Sequence, residues 1–411
     1  MKAILLVPLL CLLGLSQGQT LEFTSAYTVE GNVTDSGFGY EVIISGNYVI
    51  IYDESFANDS GAIYVYQLND GAALYSMKGS AENAEFGFRL AVSGNYLVIA
   101  QLSPSGDGNG TVFVYWLNNG TLVYDLFSAP SSYFGYSITA SSTDNILVVG
   151  APGDVALPSA GDVFVYFLNN GTFKYLVSGS GPGVELGSFV GVSGNYLVAT
   201  GDINEAFVYN LTNGSPLYNI TTGLSNLFLY GNYLILPDQN SFGGIGSIGV
   251  YDLTDGSLLY SHNGTTALQA YGHEVRTLGN YMVVKTQADF AVDDATFVYT
   301  LDTGSFLYQI PGFTPHVAVN GNYLFLSNAF DTVNGYDLSN GSLLGNVTGP
   351  NGSYFDSGLA SSQNYLLVSD LSYLNYTGAV YAYDFSLNPI TITSTTGDSN
   401  ASSASELGWF F

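Results

Sequence analysis

Short apolar runs alternate with Gly-Asn and Asn-Gly pairs along almost the whole chain. The clearest mark is Gly-Asn-Tyr followed by an apolar run: SGNYVII at Ser45, SGNYLVIA at Ser93, SGNYLVAT at Ser193, YGNYLIL at Tyr230, LGNYMVV at Leu278 and NGNYLFL at Asn320. Degraded copies around Asn145 and Asn364 bring the total to eight. The anchors Asn47, Asn95, Asn145, Asn195, Asn232, Asn280, Asn322 and Asn364 stand 37 to 50 residues apart, the period of a four-stranded propeller blade. Within each period, strand a runs into the Gly-Asn turn and strand b leaves it. Strand c is an aromatic run such as GTVFVYWLN, and strand d follows a second tight turn, as in GTLVYDLF. Two-residue loops of this kind between β-forming runs signal hairpins. Runs such as VFVY are apolar on both faces, as expected for sheets packed on both sides.

The pattern therefore predicts an all-β fold, a β-propeller of about eight four-stranded blades. A β-sandwich array or a β-solenoid is the competing architecture, and four strands per long period disfavour the solenoid. Copies of strand d fall at residues 25–30, 73–78, 122–127, 173–177, 217–221, 258–261, 306–310 and 343–347. The first d precedes the first a, and the last a, b and c follow the last d. Ring closure thus requires the N-terminal strand to complete the final blade. The expected organisation is a signal peptide over 1–18, the propeller over 19–387 and a tail over 388–411. The tail holds an alternating run with Ile390 and Ile392, and ends on Trp409, Phe410 and Phe411. Exposed apolar ends are unfavourable in water at about 25 cal/mol per Å². The tail is expected to dock on a second copy, by strand addition and a pocket for the aromatics. The alternatives are that the run is strand d of the last blade, or that the aromatics fold back on their own body.

The stretch from Phe134 to Phe167, with Phe-Gly at its start and Gly-Ala-Pro after strand b, resembles an FG-GAP repeat, the unit of the integrin α-subunit propeller. Phe38-Gly39, Phe86-Gly87 and Tyr271-Gly272 repeat the opening. The resemblance implies a propeller and an adhesion or ligand-binding role. Family members often carry a D-x-D-x-D-G calcium loop between strands a and b. Here that place is Ser-Gly-Asn-Tyr, without a carboxylate, so calcium binding is not expected. Asp238 to Gly243 is read as an ordinary acidic turn between strands b and c.

Composition narrows the setting. Lys2 and the apolar residues 3–15 form a secretory signal with cleavage before Gln19, which makes the protein secreted and extracellular. The single cysteine, Cys11, lies inside that signal, so no disulfide is expected. Six Lys and Arg oppose 33 Asp and Glu, which excludes nucleic acid as a partner. No later apolar segment is long enough for a membrane span.

Chemistry is sparse. Three histidines give no metal or acid–base motif, because Thr277 stands where HExxH needs its second histidine. His262 is read as a surface residue. Six residues before each anchor stand Glu41, Arg89, Phe189, Asn226, Glu274, His316 and Gly358, with Ser137 as the shifted equivalent. That mixed column reads as structural. The b–c loops are acidic and rich in Ser and Gly, without an aromatic platform. We expect no catalytic residues, no metal and no cofactor. The Asn-x-Ser/Thr sequons give the clearer signal: Asn32, Asn58, Asn109, Asn119, Asn170, Asn210, Asn213, Asn219, Asn263, Asn340, Asn346, Asn351, Asn375 and Asn400. Pro216 weakens the site at Asn213, and Asn-Gly-Thr at Asn119 and Asn170 also suits a hairpin turn. The leading expectation is a secreted, N-glycosylated structural protein that self-assembles into a fibre or surface coat, its partners being itself and its glycans. The alternative is an extracellular adhesion or ligand-binding propeller, integrin-α-like or lectin-like.

Overall fold

The computed structural model describes residues 19–103, 108–127, 132–153, 159–201, 204–221, 223, 226–239, 241–265, 270–286, 294–328, 331–350 and 355–389. The expected signal peptide and the tail residues Ile390, Ile392, Trp409, Phe410 and Phe411 lie outside them. Eight four-stranded antiparallel sheets form the eight blades of a propeller. Blades 1 to 7 span residues 38–78, 89–127, 137–178, 189–221, 228–263, 274–311 and 317–348. Blade 8 takes strands a, b and c from Phe355–Ser362, Tyr365–Asp370 and Ala379–Pro389, and strand d from Gln19–Glu30.

The repeat has a physical reason. In blades 1 to 7 the anchor asparagine carbonyl accepts the backbone N–H that opens the c–d turn, as from Leu68 to Asn47, and in blade 8 Asn364 accepts the N–H of Phe385 within strand c, all at 2.7–3.1 Å. The turn between a and b is thereby tied to the turn between c and d, and both lie on one face of the disc. The b–c loops and d–a links form the opposite face. Strand b is buried on both sides: Val49, Ile50 and Ile51 are fully covered, as are Leu147, Val148 and Val149. Each core cluster joins two neighbouring blades, as where Ile50 and Ile63 of blade 1 meet Leu97 and Ile99 of blade 2. Burying one such side chain stabilises by about 1.5–3 kcal/mol. The Phe-Gly openings place Phe38, Phe86 and Phe134 in these seams, 0–3 % exposed.

Six junctions share a latch. The strand d tyrosines Tyr75, Tyr124, Tyr175, Tyr218, Tyr260 and Tyr308 donate their hydroxyls to the next blade at Leu117, Leu168, Leu211, Leu253, Leu301 and Leu338. Each ring lies over the glycine of that blade's c–d turn; at Gly171, with φ +68°, an added Cβ would meet Tyr124 at 2.7 Å.

Closure differs from this rule. The first strand begins at Gln19 rather than 25 and pairs with strand c from Glu30↔Ala379 to Gln19↔Pro389, with a bulge between Ser25 and Tyr27. Asn388 and Pro389, placed in the tail by the sequence pattern, are therefore strand. Strand b of blade 8 pairs only as far as Asp384, so the end of this ribbon overhangs its own blade. The overhang packs on blade 7, where Gly345 stands in place of the latch tyrosine. A Cβ on Gly345 would meet Leu21 O at 2.5 Å, and one on Gly335 would meet Leu21 Cδ1 at 2.8 Å. Leu21, Phe325, Val333 and Phe385 share one cluster. Gln19–Glu30 fills strand d of blade 8, and residues 390–395 lie outside the described residues.

Candidate functional site

Strand a is the innermost strand of each blade, so its exposed side chains face the central channel. The mixed column converges there. Glu274, at the start of strand a in blade 6 (Glu274–Leu278), bridges Arg276 at 2.7 Å and Lys285 at 3.1 Å. Lys285 is buried, and its Nζ also donates to Pro315 O. Burial lowers its pKa, opposed by Glu274. Glu41 meets channel water yet is surrounded by protein; that desolvation raises its pKa, while Arg89 and Arg276 oppose the rise. His316 is lowered to about 4, by burial first and then by Lys285. Arg89 donates to Phe88 O at 3.0 Å and lies 4.0 Å from the centre of the Phe88 ring. Arg89, Arg276 and Lys285 are thus half of the Lys and Arg of a strongly acidic chain, gathered about one channel. Of this column, Glu274 has its charge matched, by Arg276 and by Lys285 of the adjacent strand b.

His262 is corrected from a surface residue. It is half-buried and stacked on Tyr299, with centroids 4.2 Å apart, because its strand turns it into the seam between blades 5 and 6. Asp238 sits before a short helical turn, Ser241–Gly244, whose Ser241 hydroxyl donates to Asp238 O at 3.0 Å. No group of three or more His, Cys, Asp or Glu that could hold a metal occurs among the described residues.

The loop face carries aromatics outside the b–c loops that the sequence reading considered. They sit on the links after Phe-Gly, where Tyr40, Phe88 and Tyr136 follow the glycine. Tyr40 is 51 % exposed, and Phe88 and Tyr136 stand 5.9 Å apart. Blade 8 adds Tyr376 from its b–c loop, 53 % exposed. Between blades 8 and 1 lies a cleft of about 650 Å³, bordered by Tyr40, Tyr376, Asp35, Glu54, Ser357 and Leu371. A smaller cleft of about 300 Å³ lies against Tyr133, Tyr136 and Glu185. The signal that could have found these rings was their repetition two residues after the recurring phenylalanine, beside a Phe-Gly pair that otherwise speaks only of family resemblance.

The described sequon asparagines are exposed, except Asn210, which is half-buried; Asn351 and Asn400 lie outside the described residues. Asn119, Asn170, Asn210, Asn213 and Asn340 lie at c–d turns, and Asn32, Asn58, Asn109, Asn263 and Asn375 on the opposite face. Asn219 and Asn346 lie on outer strands. At the turns the side-chain oxygen of Asn119 or Asn170 accepts the N–H two residues on at 2.9 Å, as Asp70 and Asp255 do elsewhere. At Asn119 and Asn170 these turn bonds use Oδ1, whereas Asn340 also donates its Nδ2 to Asp337 at 3.1 Å.

Large exposed hydrophobics concentrate on the outer d strands: Leu74, Leu122, Phe127, Phe173, Leu176, Leu217, Leu258, Leu259, Phe306, Leu307 and Leu343. No sequon occurs between Asn263 and Asn340, so the rim of blade 6 is free of them.

No protein-family model matches the sequence, and no curated protein matches it either. Among solved structures, the computationally designed Ika8 protein is similar at TM-score 0.63 and 19 % identity, covering 88 % of this chain and 99 % of that one. BamB from Moraxella catarrhalis is similar at TM-score 0.57 and 13 % identity, covering 88 % and 98 %. Identities this low speak for the fold alone.

Proposed function

We propose that this is a secreted, N-glycosylated structural protein that assembles with copies of itself through its outer rim, into a fibre or a surface coat. One observation carries the reading: the rim of blade 6 combines an open strand edge, the exposed side chains of Phe306 and Leu307, and a stretch without sequons, and the neighbouring blade 5 adds exposed Leu258 and Leu259 on a strand whose last residue is the Asn263 sequon. An unprotected apolar edge is the kind of surface that pairs with another chain. Phe306 is 56 % and Leu258 55 % exposed, so both are available to a partner. The tail beyond Pro389, with Ile390, Ile392, Trp409, Phe410 and Phe411, has a β-forming sequence while strand d of blade 8 is filled by Gln19–Glu30, and addition of a foreign strand to a sheet edge is a known mode of recognition. A contact of this type that does not close on itself propagates. Glycans elsewhere on both faces would leave the rim of blade 6 bare, as they would that of blade 1 between Asn58 and Asn109, where Leu74 is the exposed large hydrophobic.

The test is assembly of the full-length protein secreted from a eukaryotic host, followed by light scattering and electron microscopy. The double variant Phe306→Ser, Leu307→Ser should melt as a folded protein and fail to assemble. Phe173→Ser, beside the Asn170 sequon, should assemble normally. A wild-type protein that stays monomeric at high concentration, or a double variant that assembles like wild type, overturns the reading. The second reading, a ligand-binding propeller, is favoured by the cleft between blades 8 and 1.

A further inference from the structure

The cleft between blades 8 and 1 has a definite chemistry. Asp35, Tyr40 and Glu54 border it from blade 1, and Ser357, Leu371 and Tyr376 from blade 8. Among the described residues its lining includes two carboxylates, two tyrosines about half exposed, and no Lys, Arg or His. The Glu54 charge is the main reason the Tyr40 hydroxyl is held above its usual pKa. Glu54 is itself raised, by burial and then by the neighbouring charges of Glu85 and Asp59. Negative charge is therefore crowded here without compensation from the lining. The cation felt nearby, Arg89, is turned to Phe88 O and the Phe88 ring.

The backbone is shaped against its own preference to build this wall. Leu374, Asn375 and Tyr376 are three consecutive left-handed residues, at φ 41°, 58° and 60°. Left-handed conformations cost about 1–2 kcal/mol per residue for side chains other than glycine. That turn sets Tyr376 at the mouth of the cleft opposite the blade 1 side.

We propose that this cleft binds a small organic cation, an ammonium headgroup seated against the Tyr40 and Tyr376 rings with Glu54 as its counter-charge. Aromatic faces attract ammonium groups, and desolvation beside a carboxylate strengthens the attraction. The volume of about 650 Å³ lies within the range of small-molecule sites. A neutral saccharide would stack on the same rings but leave the crowded carboxylates unrelieved. A bare metal ion lacks a cluster of carboxylates among the described residues. The inference is independent of rim assembly, since none of these residues lies on an outer strand of blades 5 or 6.

The experiment is calorimetric titration of the full chain with choline chloride at fixed ionic strength, with glucose and calcium chloride as comparators. Choline should bind saturably, and neither comparator should. Glu54→Gln and Tyr376→Ala should each weaken choline at least about tenfold, equivalent to about 1.4 kcal/mol. Tyr136→Ala, in the smaller cleft, should leave it unchanged. Glu54→Gln keeps the shape of the side chain, and an unchanged melting temperature will show that the variant is folded. Binding of glucose or calcium but not choline, absence of choline binding, or choline binding indifferent to Glu54→Gln overturns the proposal.

Discussion

The junction between blades 3 and 4 and the junction between blades 7 and 8 solve the same packing problem with opposite residues. In the first, Tyr175 lies over Gly214 and donates to Leu211 O at 2.7 Å. In the second, the tyrosine is replaced by Gly345 and the contact comes from Leu21 on the far end of the chain. The difference follows from connectivity. An ordinary blade joins strands c and d by a covalent turn closed by a glycine, such as Asn213-Gly214 or Asp70-Gly71, a compact knob on which a ring can rest. Blade 8 makes its c–d pair from two distant segments, so no turn exists there. A ribbon projects instead, and the glycines of blade 7 leave room for it. Local chemistry suffices for six junctions, while the closing one depends on pairs such as Glu30 with Ala379, from opposite ends of the ring.

Removing the ribbon is the severest way to break the comparison. Deleting residues 19–30 strips blade 8 of its outer strand and uncovers the core around Leu21 and Val29. Each of these side chains is worth about 1.5–3 kcal/mol, and the ladder to Ala379–Pro389 is lost with them. Against a typical margin of about 5–15 kcal/mol, cooperative thermal unfolding should vanish, and a synthetic peptide of residues 19–30 should restore it. A cooperative transition in the truncated chain alone would show that the ring needs no closure.

Imposing the ordinary rule on the closing junction is the next test. Gly345→Tyr restores the repeat residue where Leu21 already lies, and overpacking of this kind costs about 1–3 kcal/mol. Urea denaturation should register that loss. An equal or higher midpoint would mean that blade 7 could have carried the latch.

The hydroxyls give a finer contrast. Tyr124 donates to Leu168 O at 2.6 Å, whereas the equivalent Tyr27, at the junction of blades 8 and 1, has a buried hydroxyl with no hydrogen-bond partner among the described residues. Tyr124→Phe should cost about 1 kcal/mol, and Tyr27→Phe should be neutral or slightly stabilising. Equal losses in the two variants would show that the ring contact, not the hydrogen bond, is what counts.

The last contrast concerns pH. Asp53, buried beside the same junction, is pushed up to about 6 by burial, opposed by hydrogen bonds from Ser36, Gly37 and Phe56. Its folded value lies above the unfolded 3.8, so the folded protein binds this proton more tightly. The contribution to stability is full below about pH 3.8 and is lost as pH rises through about 6. Asp53→Asn should flatten that part of the stability profile between these two values. A slope identical to wild type would remove Asp53 from the account.

The candidate sites were less legible than the fold. The column from Glu41 to His316 could be counted out from the anchors, but one-dimensional spacing does not say that Arg276 of blade 6 acts on Glu41 of blade 1 across a channel. Tyr40 and Tyr376 are separated by most of the chain, and only ring closure makes them walls of one cleft. The latch tyrosines were visible as part of strand d, yet nothing in the pattern reveals that their hydroxyls cross to the next blade.

The sequence by itself determined the eight repeats, the four strands of each and the need for the first strand to complete the last blade, because hairpin turns and apolar runs are local and recur at a near-constant period. It also established the absence of thiols beyond Cys11. The tertiary structure alone decided where the ribbon of Gln19–Glu30 ends, why blade 7 gives up its tyrosine for Gly345, and which charges share the channel. Those outcomes arise where distant segments compete for the same space, and exclusion of one side chain by another has no period to read along the chain.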